Sequence, residues 1–253
     1  MQEVLTLRLP PYKGYTEAMP RPSVLPRLQE LTQEQWGLVT RRQMEEEGIG
    51  PTTLDRLTSP GGILDRVASG VYRLVGAPIP DHMDLRAAWL QLAPNLPAWK
   101  RTAKEGVVTH RSAASMYGLG HLPADRHEFT LPKRRQTRRF DVRIHIRPLT
   151  DAEWIRLRGL PVTRPSRIAS DLLFDHEDPE AVARLIVDAI PLAYDYPGTF
   201  ADCLAPHAAR FGLRKGDGLE LLRWFLDLTG DPETNRWMDE ARAHVDRTKQ
   251  STT

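Results

Sequence analysis

Residues 40–58 constrain the fold more than any other part of the chain, because capping and turn residues divide them into two short helices. The sequence T-R-R-Q that begins at Thr40 has the form of a capping box, which starts a helix. Gly48 can adopt a positive φ and end that helix. Pro51 suits the first turn of the next helix, because its missing N–H has no helical partner there. The pattern predicts two short helices joined by a glycine turn.

A further helix and a hairpin flank this pair. Apolar residues recur near helical spacing over 23–36, which predicts a first helix. Downstream, the apolar runs 63–67 and 71–75 are separated by A-S-G and predict a hairpin with Gly70 in its turn. Three helices followed by a hairpin are typical of a winged helix-turn-helix, whose third helix enters the major groove of DNA.

A DNA-binding surface follows from this arrangement. On the third helix Leu54 and Leu57 are expected to face inward, which leaves Arg56 outward, where arginine can read guanine through two hydrogen bonds. Cations at the start of the second helix and on the hairpin can bind phosphate groups. The acidic run 45–47 keeps a protein-binding role open as an alternative. The candidate DNA-binding residues of this unit are Arg41, Arg42, Thr52, Thr53, Arg56, Arg66, Ser69 and Arg73.

The net charge of +2 is distributed unevenly along the chain. Residues 1–99 carry a net charge of −1, residues 100–147 carry +8, and residues 148–253 carry −5. A basic block between acidic flanks predicts contact with a polyanion, although a solvated strand surface is the alternative. Its densest part is a predicted loop that adds five candidate DNA-binding residues, namely Lys133, Arg134, Arg135, Arg138 and Arg139.

Beyond the hairpin, prolines at 78 and 80 predict a domain boundary, and strands then alternate with helices. Strands are predicted at 107–108, 128–131, 140–146 and 160–163, and helices at 84–92, 109–117 and 165–174. Further helices are expected at 179–190, 198–211, 217–228 and 232–247. The predicted fold class is therefore α+β, an N-terminal winged helix-turn-helix followed by a mixed α/β domain with a helical C-terminal extension. The predicted divisions are an arm or linker at 1–21, the DNA-binding domain at 22–78, the α/β domain at 79–175 and the helical extension at 176–253.

The sequence offers little support for catalysis or for a bound metal ion. Glu128, Lys133 and Asp141 lack the acidic-x-Lys spacing of metal-dependent nucleases and are predicted to form surface ion pairs. The histidines of the basic region lack zinc-ligand spacing and are predicted to be ordinary surface or helix-start residues, namely His110, His121, His127 and His145. We therefore expect no catalytic residues, no metal and no cofactor.

The sequence also predicts the cellular compartment, the absence of a disulfide and one ion pair within a helix. The chain contains no apolar run of membrane-spanning length and no secretory signal pattern, which predicts a cytoplasmic protein without membrane contact. Its single cysteine, Cys203, excludes an internal disulfide. Arg167 and Asp171 are four residues apart in a predicted helix and are expected to form an ion pair.

Three motifs in fixed order connect the two regions. The first is L-V-T-R at Leu38, closing in G-V-Y-R-L at Gly70; the second is V-V-T-H-R-S-A-A at Val107; the third is G-L-P-V-T-R-P-S-R-I-A-S-D-L at Gly159. With these motifs, the first 175 residues resemble the AbiEi family of antitoxins, the transcription-regulator halves of type IV toxin–antitoxin systems. The resemblance makes 79–175 an AbiEi-like antitoxin domain.

The resemblance implies a function beyond DNA binding. Members of the family neutralise a nucleotidyltransferase-like toxin and repress the shared promoter through inverted repeats, which favours a dimer on double-stranded operator DNA. The alternatives left open are a stand-alone winged-helix transcriptional regulator without a toxin partner and a protein-binding adaptor.

Overall fold

The structure, a computed structural model, describes residues 24–137 and 139–251, with side chains described for 25–137 and 139–247. The predicted arm at 1–21 and the candidate Arg138 lie outside the described residues. None of the helices in the described part of the chain combines the length and apolar character that crossing a membrane requires.

The N-terminal unit combines three helices with a small antiparallel sheet. Its strands follow the order β1-β3-β2, with β3 paired to both neighbours. Strand β1 was absent from the sequence prediction, because three residues are too short to carry a periodic pattern. The elements are α1 (Val24–Gln33), β1 (Leu38–Thr40), α2 (Arg41–Glu46), α3 (Pro51–Thr58), β2 (Leu64–Ala68) and β3 (Val71–Leu74).

Local signals account for most of these boundaries. Thr40 accepts a hydrogen bond from the Gln43 amide at 3.1 Å, and the Gln43 side chain accepts one from the Thr40 amide at 2.9 Å, which confirms the capping box. Gly48 has a φ of +77° after α2, as expected. The first helix ends three residues earlier than predicted, and Trp36 follows it with a φ of 57°.

The second region is built on a five-stranded mixed sheet of order β6-β5-β4-β8-β7. Strands β4 and β8 are parallel, as are β5 and β6, while β4–β5 and β7–β8 are antiparallel. Its elements begin with α4 (Met83–Leu92), β4 (Val107–Val108), α5 (His110–Tyr117), β5 (His127–Leu131), β6 (Val142–Ile146), β7 (Trp154–Leu157), β8 (Leu160–Thr163) and α6 (Pro165–Phe174).

Four further α-helices follow in the described part of the chain, namely α7 (Pro179–Ala189), α8 (Pro197–Leu204), α9 (Gly218–Thr229) and α10 (Thr234–Ser251). The single helix predicted at 198–211 is wrong in its second half, since α8 ends at Leu204 and 205–211 form a 3₁₀ helix. Strand β7 was also missed. The predicted strand at 140–146 begins only at Val142, where pairing with β5 starts, because residues 140–141 form a turn that leaves Phe140 91% exposed.

The two regions are joined by buried contacts. A small apolar core inside the N-terminal unit is distinct from a larger core beneath the five-stranded sheet and the C-terminal helices. Leu38 and Val71 of the small sheet belong to the larger core, together with Trp89 of α4. The buried side-chain oxygen of Gln35, Oε1, accepts a hydrogen bond from the Ala98 backbone N–H at 2.8 Å. The N-terminal unit therefore rests on α4 and the chain that follows it.

Candidate functional site

The outward side of α3 is open to solvent. Thr52 and Arg56 are exposed and Thr53 is half-buried, while Leu54 points into the small core with 5% of its surface exposed. Among the described residues no ion pair or hydrogen bond involves the Arg56 guanidinium. The predicted inward and outward faces of this helix are therefore the observed ones, and Arg56 is free to contact a ligand.

The start of α2 lies beside the hairpin turn. The Arg41 amide donates to the Gly70 carbonyl at 2.8 Å, which fixes the two segments together. Arg41 and Arg42 extend from this point, and their guanidinium groups contact the Glu45 carboxylate at 2.8 and 3.2 Å. The hydrogen bond from Arg41 lowers the pKa of Glu45. The acidic run thus partly neutralises the two candidate phosphate-binding residues.

The hairpin residues differ in how free they are. Arg66 and Ser69 are exposed on β2 and at the turn, where Gly70 adopts a φ of +69°. Arg73, in contrast, has only 17% of its side chain exposed and donates to Asp65 and to the Ala77 carbonyl, both at 2.9 Å. Its guanidinium stabilises the hairpin, so DNA contact by Arg73 requires these bonds to break.

The basic loop also divides into free and engaged cations. Lys133 and Arg134 are exposed, and no ion pair is found for either within 24–137 and 139–251. Arg135 donates to the Leu92 carbonyl, which ties the loop to the end of α4. Arg139 forms a bidentate contact with Asp141, which lowers the pKa of that carboxyl group. Of the described loop cations, Lys133 and Arg134 are therefore the ones whose side chains are exposed and engaged in neither ion pairs nor hydrogen bonds.

The sequence of the N-terminal unit matches a known protein family. Residues 26–75 match the family described as "Transcriptional regulator, AbiEi antitoxin". The resemblance predicted from the sequence is confirmed over this AbiEi segment, which spans α1 to β3 and contains every candidate residue of the N-terminal unit. A family of transcriptional regulators supports a regulatory role for the chain. No curated protein matches the sequence.

Beyond the AbiEi segment, the third sequence motif forms a buried ionic network. Arg167 donates to Asp171 at 3.0 Å, which confirms the predicted pair, and also to Glu153 at 2.6 Å. Arg147 contacts the same Asp171 carboxylate at 3.4 Å. Burial raises the pKa of Asp171, and the two guanidinium groups oppose this effect. The network fastens α6 to the chain around β6 and β7.

The structure also brings together residues that the sequence prediction placed at the surface. His110 begins α5, which confirms the helix-start alternative for this residue, but it is only 1% exposed. His145 is 8% exposed on β6, so its predicted surface location is wrong. Their imidazole rings stack with centroids 3.6 Å apart. Asp175, just after α6, lies beside both rings, and we call His110, His145 and Asp175 the histidine cluster.

Glu128 was also misassigned. It is 5% exposed, so the predicted surface location is wrong, although its carboxylate does lie 3.8 Å from the Arg143 guanidinium. It also accepts a hydrogen bond from His145 Nε2 at 3.2 Å. Burial lowers the pKa of His110 to about 2. The only sequence signal for this cluster was His145, a polar residue among the apolar residues of a strand.

Proposed function

We propose that this chain is a DNA-binding antitoxin that represses its own toxin–antitoxin promoter and counteracts a nucleotidyltransferase-like toxin. The family match of residues 26–75 supports the regulatory part of the proposal. In this view residues 22–78 act as a winged helix-turn-helix, with α3 as the recognition helix and the β2–β3 hairpin as the wing.

The observation that carries the proposal is the open face of α3. A recognition helix must present uncommitted polar side chains, and Arg56 and Thr52 meet this requirement. Arg66 is exposed on β2, where it is available to phosphate groups, and the exposed Arg42 on α2 can bind phosphate in place of Glu45. Lys133 and Arg134 extend the cationic surface beyond the AbiEi segment. Few cations serve the unit, so affinity is expected to be moderate and strongly salt-dependent.

The toxin-directed part of the proposal rests on the resemblance of residues 79–175 to AbiEi antitoxins. We propose that this region counteracts the toxin without catalysing a reaction, and that two copies of the chain bind an inverted-repeat operator. Operator symmetry would then mirror the two-fold symmetry of the bound protein pair.

The DNA-binding part is tested with the full-length protein and the DNA upstream of its own gene in a mobility-shift titration. Arg56→Ala is expected to weaken specific binding about tenfold or more, since a base-reading arginine contributes about 1–3 kcal/mol. Arg184→Ala, an equally exposed arginine on α7, is the matched control and should leave binding unchanged. Specific binding that survives Arg56→Ala undiminished excludes α3 as the reader.

The antitoxin part is tested by examining the gene beside this one and, where it encodes a nucleotidyltransferase-like protein, by co-expressing the two; finding no such gene favours a stand-alone regulator. If that protein stops cell growth when it is expressed alone, growth restored by this chain supports the antitoxin part of the proposal. Specific DNA binding without rescue indicates a stand-alone regulator, and the absence of any salt-dependent DNA binding indicates a protein-binding adaptor.

A further inference from the structure

The hydrogen bonds around His110 determine which of its ring nitrogens carries a proton. The Thr109 hydroxyl donates its single hydrogen to the Asp171 carboxylate at 3.3 Å. The same hydroxyl lies 3.0 Å from His110 Nδ1 and must therefore accept a hydrogen bond from it. His110 Nε2 is then a bare lone pair, and it is buried without a hydrogen-bond partner in the described part of the chain.

The same reasoning applies to His145. Its Nε2 faces Glu128 Oε1 at 3.2 Å, and a carboxylate only accepts, so Nε2 carries the hydrogen. Glu128 is itself held by the Arg111 amide at 3.0 Å. A carboxylate that orients a histidine in this way is the usual outer support of a metal-binding imidazole. In the neutral ring, Nδ1 is left as the second bare lone pair.

Both lone pairs meet the same carboxylate oxygen. Asp175 Oδ2 lies 3.7 Å from His110 Nε2 and 3.9 Å from His145 Nδ1. This oxygen is buried and has no hydrogen bond of good geometry within the described residues. Two acceptor nitrogens and a carboxylate oxygen gathered in this way favour a cation beside them, and in this structure the nearest one is the Arg143 guanidinium, 2.9 Å from Asp175 Oδ2. We propose that the histidine cluster binds one divalent transition-metal ion of the Zn²⁺ type through His110 Nε2, His145 Nδ1 and Asp175 Oδ2.

The donor set selects the class of ion. Two imidazoles and one carboxylate suit Zn²⁺ and its late first-row neighbours better than Mg²⁺ or Ca²⁺, which prefer oxygen ligands. Tetrahedral ligands about 2.1 Å from the metal are about 3.4 Å apart. The 3.7 and 3.9 Å distances to Asp175 Oδ2 therefore have to shorten by about 0.3 and about 0.5 Å, and the two ring nitrogens, which lie within 4.8 Å of each other, have to approach as well. The stacked rings must also turn so that both lone pairs converge.

A fourth ligand would enter from the side of the cluster where His110 and Asp175 border a cleft. The cluster borders a cleft of about 270 Å³ that also contains Arg111, Arg143 and Glu177. Three protein ligands with one open position leave room for water or a small anion. The metal site is independent of the proposed DNA-binding face of α3, and either can exist without the other.

Arg143 is the competing cation. One of its guanidinium nitrogens lies 2.9 Å from Asp175 Oδ2, and half of its side chain is exposed. Binding of a metal ion therefore requires this guanidinium to swing toward solvent. Removing it should strengthen metal binding, whereas it should have no such effect if the cluster has no affinity for metal.

The test is titration of the full-length protein with Zn²⁺ in competition with a chelating indicator, and with Co²⁺ followed by its visible absorption. We expect one ion per chain, a rise in Tm with metal as mass action requires, and tighter binding by Arg143→Ala. His145→Gln and Asp175→Asn should each weaken binding at least tenfold. Glu128→Gln, which removes only the support of His145, should weaken it about 10- to 100-fold.

The matched control is His127→Gln, because His127 faces Asp141 at 4.0 Å on the same sheet but is not part of the cluster. Circular dichroism of each variant separates loss of ligand from loss of fold. The proposal is overturned if neither the wild-type protein nor Arg143→Ala binds an ion stoichiometrically. It is equally overturned if folded His145→Gln and Asp175→Asn retain full affinity.

Discussion

Arg41 donates its Nε–H to Glu45 Oε1 at 2.8 Å, within the helix that begins beside the hairpin turn. The same carboxylate contacts Arg42, so one acidic residue is shared by two of the cations proposed to bind phosphate. DNA must therefore compete with Glu45 for both guanidinium groups. If the proposed DNA binding holds, Glu45 is expected to reduce the affinity.

We predict that Glu45→Gln raises DNA affinity roughly two- to fivefold and steepens its dependence on salt, because freed cations can displace more counterions. The measurement is fluorescence anisotropy at several salt concentrations. Glu46→Gln removes the same charge from an exposed residue and has no ion pair among the described residues, so it should change affinity less. Equal effects of the two substitutions would mean that net charge alone matters and that the pairing does not.

The basic loop offers a second prediction about DNA binding. Reversing the exposed pair Lys133 and Arg134 to Glu should lower affinity and flatten the salt slope by about one to two units, in proportion to the lost phosphate contacts. Reversing Lys100 and Lys104, also exposed but outside the loop, is the charge-matched control. A slope that stays the same in the loop variant would exclude phosphate contact at this loop.

Arg101 is predicted to be essential for stability. Its buried guanidinium donates to the carbonyls of Trp89, Leu90 and Ala93 at 2.5, 2.8 and 2.6 Å, and so satisfies the otherwise unpaired end of α4. Arg101→Ala should lower the free energy of unfolding by about 3 kcal/mol or more, because several buried carbonyls lose their donor. Urea denaturation measures this. Lys104→Ala on the adjoining turn should be close to neutral, and an equally small effect of Arg101→Ala would refute the capping role.

A pH dependence is expected from His207, which is bonded to Ser170 Oγ at 2.9 Å. Burial, aided by the charges of Arg210 and Arg147, lowers the pKa of His207 in the folded protein. The unfolded chain takes up a proton below about pH 6.5, and the folded chain does so only at lower pH. The contribution of neutral His207 to the free energy of unfolding is therefore complete above about pH 6.5. It is lost as the pH falls from there through the lowered pKa of the folded protein.

His207→Gln should make the free energy of unfolding less dependent on pH between about pH 7 and about pH 5.5. Urea denaturation at the two pH values measures the difference. His121→Gln, at an exposed position, provides the comparison. If the wild-type protein and His207→Gln lose the same stability on acidification, another group is responsible.

The sequence by itself determined the features that depend on residues close together in the chain, such as helix caps, turns and ion pairs within one helix. The capping box at Thr40, the turn at Gly48 and the ion pair between Arg167 and Asp171 each join residues within one or two helical turns. The resemblance to AbiEi antitoxins was likewise readable, because its motifs keep their order along the chain, and the family match confirms it over 26–75. Such features depend on neighbouring residues, so they can be predicted without the tertiary structure.

The tertiary structure decided which of the predicted residues are free and which are engaged. Arg56 and Arg73 look alike in the sequence, yet the hairpin pairs Arg73 with Asp65 while α3 leaves Arg56 exposed. His110, His145 and Asp175 come from three separate elements, and only the packing of α5, β6 and the end of α6 brings them together. Burial and partnership depend on residues distant in the chain, so no local pattern of charge or hydropathy could predict them.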